Sequence, residues 1–336
     1  MIKQYFRNPQ GMWFNVAALT YTLLGYVAGI VMLTVDSWWV NLLGVLLTGH
    51  SMVYAAYFVH EFSHQSIFKS GDANSLWGTL MMWPTGSCYA TFAALRHKHM
   101  RHHIDRADVL SFDYKDFLRR RPTWMSNLVL ALEWMYVPAV EFLMHGYMML
   151  LPFLISERKR ERLRVSVIFA IRVILFALLY WISPKALLLY LAAYIVMLLM
   201  LRFGDEFQHT YDVFIIVEGG DIPDGKIRDR EYEQTNTFSN LASLSHPTLN
   251  LLWLNFPYHN AHHERPIEPW YNLPRLHDNL FDRAYDQVIP MFDLLRGHHR
   301  NRVKRVLSDD YGEVGEGPGK AERFLGAVGV SFLYTV

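Results

Sequence analysis

The stretch WFNVAALTYTLLGYVAGIVMLTVDSWWVNLLGVLLTGHSMVYAAYFVHEFSH, residues 13–64, decides the fold. Trp13 to Leu33 and Trp38 to Val59 are apolar runs parted only by TVDS, and a bilayer core takes about 20 apolar residues per helix. The pair reads as a tight transmembrane hairpin that ends in two histidines, His60 and His64. A second pair of runs, Val165 to Ile182 and Ala186 to Phe203, is parted only by SPK and reads the same way. Two hairpins return the chain to its starting side, so HEFSH and everything between and after the hairpins should share one membrane face.

Charge sets the expected orientation. Arg119, Arg120, Arg121 and the run ERKRER (157–162) lie between the hairpins, whereas Lys185 is the one Lys or Arg in the two turns. The positive-inside rule then puts both termini and the histidine face in the cytoplasm. Arg172 lies within the third run and needs a partner inside the bundle. Two weaker apolar stretches, Ser75 to Leu95 and Leu128 to Leu154, are broken by prolines or carry Glu133, Glu141 and His145, and read as interfacial helices. The expected fold is all-α and integral to the membrane: four transmembrane helices as two hairpins, interfacial helices, and a histidine-rich cap. Residues 1–303 form that domain. Gly and charge dominate 308–323, so 304–336 is expected to be a flexible tail, whose apolar end FLGAVGVSFLYTV has no evident role.

Composition agrees. A chain of 336 residues with 52% hydrophobic and 15% aromatic residues is too apolar for an ordinary soluble enzyme. Its net charge of +1 says little about partners, and no nucleic acid is expected among them. The single cysteine, Cys88, excludes an internal disulfide and any tetracysteine cluster, so a metal site must rest on the 16 histidines. No cleavable signal peptide is expected in MIKQYFRNPQG.

Three stretches concentrate those histidines: HEFSH (60–64), RHKHMRHHID (96–105) and YHNAHHERP (258–266). Positions i, i+3 and i+4 share a helix face. His60 thus joins His64, His99 joins His102 and His103, and His259 joins His262 and His263. A single such histidine is usually a hydrogen-bonded surface residue, but three sets on one membrane face imply metal. Eight imidazoles exceed the ligand demand of one ion, so two are implied; imidazole alone does not choose among zinc, copper, iron and nickel.

These motifs, in this order around two hairpins, resemble the three histidine boxes of the membrane fatty acid desaturase and hydroxylase superfamily. The run HHERPIEPWYNLPRLH is similar to acyl-lipid desaturases and carotenoid ketolases. The resemblance implies a di-iron centre that uses dioxygen as co-substrate to oxidise an unactivated C–H bond. The ligands it implies are His60, His64, His99, His102, His103, His259, His262 and His263, with His209 in GDEFQH as a ninth. Asp205, His97 and His277 are carried over as second-shell or water-mediated groups. The leading expectation is desaturation of a fatty acyl lipid. Hydroxylation, oxidative decarboxylation and carotenoid ketolation or hydroxylation are the alternatives. A metal transporter would place its ligands within the spans, near the midplane, rather than beyond their ends. With no haem or cysteine cluster in the chain, electrons should come from a separate ferredoxin, rubredoxin or cytochrome-type donor. In RHKHMRHHID the imidazoles are expected to point to metal and the cations outward.

Overall fold

The computed structural model describes residues 2–218, 222, 224–281, 285–317, 319–331 and 333. It is an all-α integral membrane fold with, among the described residues, one short pair of parallel strands. Among the described residues, four helices are long and apolar enough to cross a membrane: Met12–Thr34, Trp38–Ser63, Ser156–Ile182 and Pro184–Asp205, here spans 1 to 4. The chain divides into two compact units, Met1–Leu95 with His145–Met200 and Arg96–Met144 with Leu201–Thr335.

In the first unit, the hairpins close through small residues and local polar caps. A Cβ added to Gly29 in span 1 would lie 2.9 Å from the Thr48 backbone nitrogen in span 2. One added to Gly49 would lie 2.8 Å from the Ala193 carbonyl oxygen in span 4. Only glycine allows such approach, and close backbone packing is what holds helices together where lipid supplies no hydrophobic drive. Asn41 caps the first turn by donating to the Met32 and Val35 carbonyls, each at 2.9 Å. Lys185 from the second turn donates to the same Val35 carbonyl at 2.8 Å, so both turns lie at one end of this unit. Arg172 finds its partner in the Trp83 carbonyl, at 2.8 Å.

In the second unit, β1 (Asp108–Leu110) pairs in parallel with β2 (Phe214–Ile216), with Asp108 opposite Phe214. This pairing fixes the end of helix Phe92–Asp105 against the segment that follows His209. At the foot of span 4, buried Arg202 pairs with Glu133 and Glu141; its Nε reaches Glu141 at 2.7 Å.

The segment expected to be a flexible tail is packed where it is described. Tyr311, Ala321, Phe324 and Ala327 join Phe207, Phe238, Ile289 and Leu294 in one buried cluster. The polar composition of 308–323 concealed this, because Tyr311 and Ala321 are isolated apolar positions that pay off only against a tertiary partner. The final positions 332 and 334–336 lie outside the described residues.

Candidate metal centre

Helix Phe92–Asp105 carries the second histidine set and the six-residue helix His259–Glu264 the third. The second helix is aimed by its surroundings. Leu254 and Asn255, just before it, adopt left-handed φ values of 50° and 59°. Such conformations cost about 1–3 kcal/mol each and persist only where neighbours fix them. Here Asn255 donates to the Trp270 carbonyl at 3.2 Å, and Tyr258 and Ala261 pack with Leu273 and Leu276. The run PWYNLPRLH is thus a buttress for the third set. Asn260 ties the same helix to the Thr237 carbonyl at 2.7 Å and to Ser239 at 2.9 Å, and Thr237 is the bridge partner of His209.

The result is a tetrad: His102, His209, His259 and His263 bring one ligand nitrogen each within 4.8 Å of one another. His259 Nε2 lies 2.8 Å from His209 Nε2 and 3.1 Å from His263 Nε2. For three of the four, the other ring nitrogen has an oxygen partner. His263 Nδ1 donates to Glu233 at 2.8 Å, His102 Nδ1 to the Ala107 carbonyl at 2.9 Å, and His209 Nδ1 to Thr237 Oγ1 at 3.2 Å, since the threonine hydroxyl itself donates to the Glu233 carbonyl. That fixes the tautomer and leaves Nε2 lone pairs converging. Converging lone pairs repel unless a cation sits among them. Ligand bonds of about 2.1 Å set tetrahedral edges near 3.4 Å, against 2.8 and 3.1 Å for the two spacings from His259. Burial first, then neighbouring imidazoles, hold His209 and His259 well below the usual imidazole pKa, which keeps them neutral as ligands require.

Beside the tetrad, His99, His103 and His262 form a second group, with Nε2 of His103 3.2 Å from Nε2 of each of the other two. Seven imidazoles in one unit exceed one ion's demand and fit two. In the first unit, His60 and His64 lie together at the end of span 2, ring centroids 4.8 Å apart, with Glu61 3.5 Å from His60 Nδ1. A cavity of about 40 Å³ opens onto His99, His102, His209 and His259, with Asp205, Gln208, Lys98 and Asp108 in its wall.

A model of the fatty acid desaturase family matches residues 36–295, and that match covers most of the chain. The chain belongs to the fatty acid desaturase family. A search of curated proteins finds no match. As a member of this membrane family the desaturase-like chain carries oxidoreductase chemistry of the desaturase and hydroxylase type, with a lipid substrate, and its histidine clusters are able to hold metal.

The remaining expected residues fall in different places. Asp205 lines the cavity. His97 is exposed and joins neither group. His277 is buried between Tyr258 and Phe281, one residue layer behind the third set. One expectation needs correction. Lys98 does not point outward: it is 2% exposed and faces the cavity. His298, outside the three histidine sets, pairs through Nδ1 with buried Glu206 at 2.5 Å, beside Arg305. The carboxylate that serves His263 is Glu233, thirty residues away, whose other oxygen accepts from Arg106 at 2.9 Å. Burial raises the Glu233 pKa less than His263 and Arg106 lower it, so it stays a carboxylate. Its only sequence signal was an acidic residue in the otherwise unremarkable REYEQT. Of the acids flanking the boxes, Glu264 pairs with Arg230 and Asp105 with Arg101 instead.

Proposed function

We propose that the chain binds two iron ions and uses dioxygen to oxidise an unactivated C–H bond of a fatty acyl lipid, with desaturation as the leading reaction. The observation that carries this reading is the tetrad His102–His209–His259–His263, whose ring orientations are set by Glu233, Ala107 and Thr237. His99, His103 and His262 would hold the second ion, and His60 and His64 are assigned to the same centre from their place in the family pattern. Bound iron supplies the activation of dioxygen. The chain's own residues do the rest: Glu233 and Thr237 orient imidazoles, and Arg106 holds Glu233 ionised. Asp205, on the cavity wall, is placed to hold water or a ligand there. Electrons come from a separate donor protein, and the histidine boxes and termini face the cytoplasm. Reporter fusions at Ser70 and Asp229 should both read cytoplasmic.

The deciding experiment expresses the full chain with a matched electron-donor system, measures iron in the purified protein, and analyses acyl lipids, free fatty acids and volatile hydrocarbons by mass spectrometry. New double bonds together with about two irons per chain support the reading. Hydroxy acids or terminal alkenes would move it to hydroxylation or oxidative decarboxylation. Altered carotenoids with unchanged acyl chains would sink the acyl assignment.

A further inference from the structure

The apolar end of the chain plays no part in the reading above, yet it lies against the histidine cavity. Phe324, Leu325, Ala327 and Val328 are buried. Ala327 N donates to the Glu206 carbonyl at 2.8 Å, one residue from Asp205 on the cavity wall. Gly326 sits at φ +72°, and a Cβ there would lie 2.6 Å from that same carbonyl, so the strand of chain rests directly on the backbone that ends span 4. Gly329, at φ +79°, makes a similar approach to Tyr114 and Met144, at 3.0 Å. The next side chain, Val330, lines the cavity alongside His99, His102, His209 and His259. Ser331 then offers its carbonyl to Lys98 Nζ at 2.8 Å.

Lys98 makes this arrangement informative. It sits between His97 and His99, where an apolar side chain of equal length would pack without the cost of burying a polar nitrogen. That nitrogen donates to the far end of the sequence, 233 residues away, beside Asp108. The same side chain therefore belongs both to the second histidine set and to the C-terminal segment.

We propose that Phe324–Ser331 is a strap forming one wall of the histidine cavity, that Lys98 is its latch, and that Val330 is the strap side chain that meets whatever occupies the cavity. The proposal rests on the oxidation reading only for what that occupant is. Lys98 is a positioning residue: it acts through the strap and limits access to the cavity.

The test needs neither metal nor turnover. Gln208 lines the cavity and is buried, so a Gln208→Cys chain reports cavity access by its rate of modification with a small thiosulfonate reagent; buried Cys88 sets the background. Adding Lys98→Met, or separately ending the chain after Gly329, should speed modification about tenfold or more, as expected when local opening becomes easier. Lys98→Arg, which keeps a donor of similar reach, should return the rate toward the parent. In the unaltered full chain, amide hydrogen exchange of 324–331 should be slow and should quicken selectively with Lys98→Met, with the spans unaffected. Equal modification rates with and without Lys98→Met would overturn the latch. Fast exchange of 324–331 in the unaltered chain would overturn the strap, and this measurement holds even if a variant fails to fold. A chain that binds no iron but passes both measurements overturns the oxidation reading and leaves the strap in place.

Discussion

Span 3 leaves Trp181 83%, Leu163 76% and Leu178 49% exposed, with only 6% of its apolar window buried, whereas the histidine-bearing unit encloses Lys98, Asp108, Arg202, Glu206 and Arg305 at 9% exposure or less. The first unit uses lipid as its solvent. Its interior closes through glycines and backbone carbonyls, and its outward face needs no more than apolarity. The second unit has to hold charges and imidazoles away from water, so each is answered by a specific partner: Arg202 by two glutamates, Glu206 by His298 and Arg305, His263 by Glu233. Tolerance to substitution should therefore differ sharply between the two, and each side of the contrast can be broken separately.

The largest effect belongs to the tetrad. His263→Ala removes one of four converging nitrogens, and we expect iron to fall by about half and activity to vanish while membrane insertion persists; metal analysis of the membrane-extracted protein checks this. Full iron content in that variant would separate His263 from the metal.

Next comes the ion cluster at the foot of span 4. Arg202→Met strands two buried glutamates and should destabilise the histidine-bearing unit by about 3–5 kcal/mol, because an uncompensated buried charge is far costlier than a missing pair. The triple change Arg202→Met, Glu133→Gln, Glu141→Gln should recover much of that loss in thermal unfolding. No recovery would mean that the cluster contributes through packing rather than charge balance.

Glu233→Gln is subtler. It keeps an oxygen for His263 Nδ1 but removes the ionised partner that strengthens that nitrogen's donation, so iron affinity should drop about 10–100-fold. Competition with a chelator reads this directly, and unchanged affinity would make Glu233 a partner of Arg106 alone.

The smallest effects test the membrane side. Gly29→Val forces a methyl-bearing carbon into the Thr48 backbone and should cost about 1–3 kcal/mol. Leu178→Ala, on the lipid-facing side of span 3, should stay within about 0.5 kcal/mol. A large loss at Leu178 would reveal a protein partner on that face.

Much of this molecule follows from local pattern. The hairpins, their turns and the three histidine sets are legible because hydropathy over about 20 residues and i, i+3, i+4 spacing are properties of the chain itself, independent of what it later touches. The partnerships were not legible. Glu233 meets His263 across 30 positions, Lys98 meets Ser331 across 233, and the strap hides behind a stretch of glycine and charge. Asp105 and Glu264, adjacent to boxes and plausible supports by spacing, turn instead to arginines. Sequence proximity ranks candidates by distance along the chain, but a hydrogen bond is decided by direction at about 3 Å. So the sequence by itself determined the membrane architecture and the histidine sets, which depend on composition and period. Only the tertiary structure decided which carboxylate orients which imidazole, which cation turns inward, and that Val330 meets the cavity, because each depends on long-range packing that brings distant backbone together.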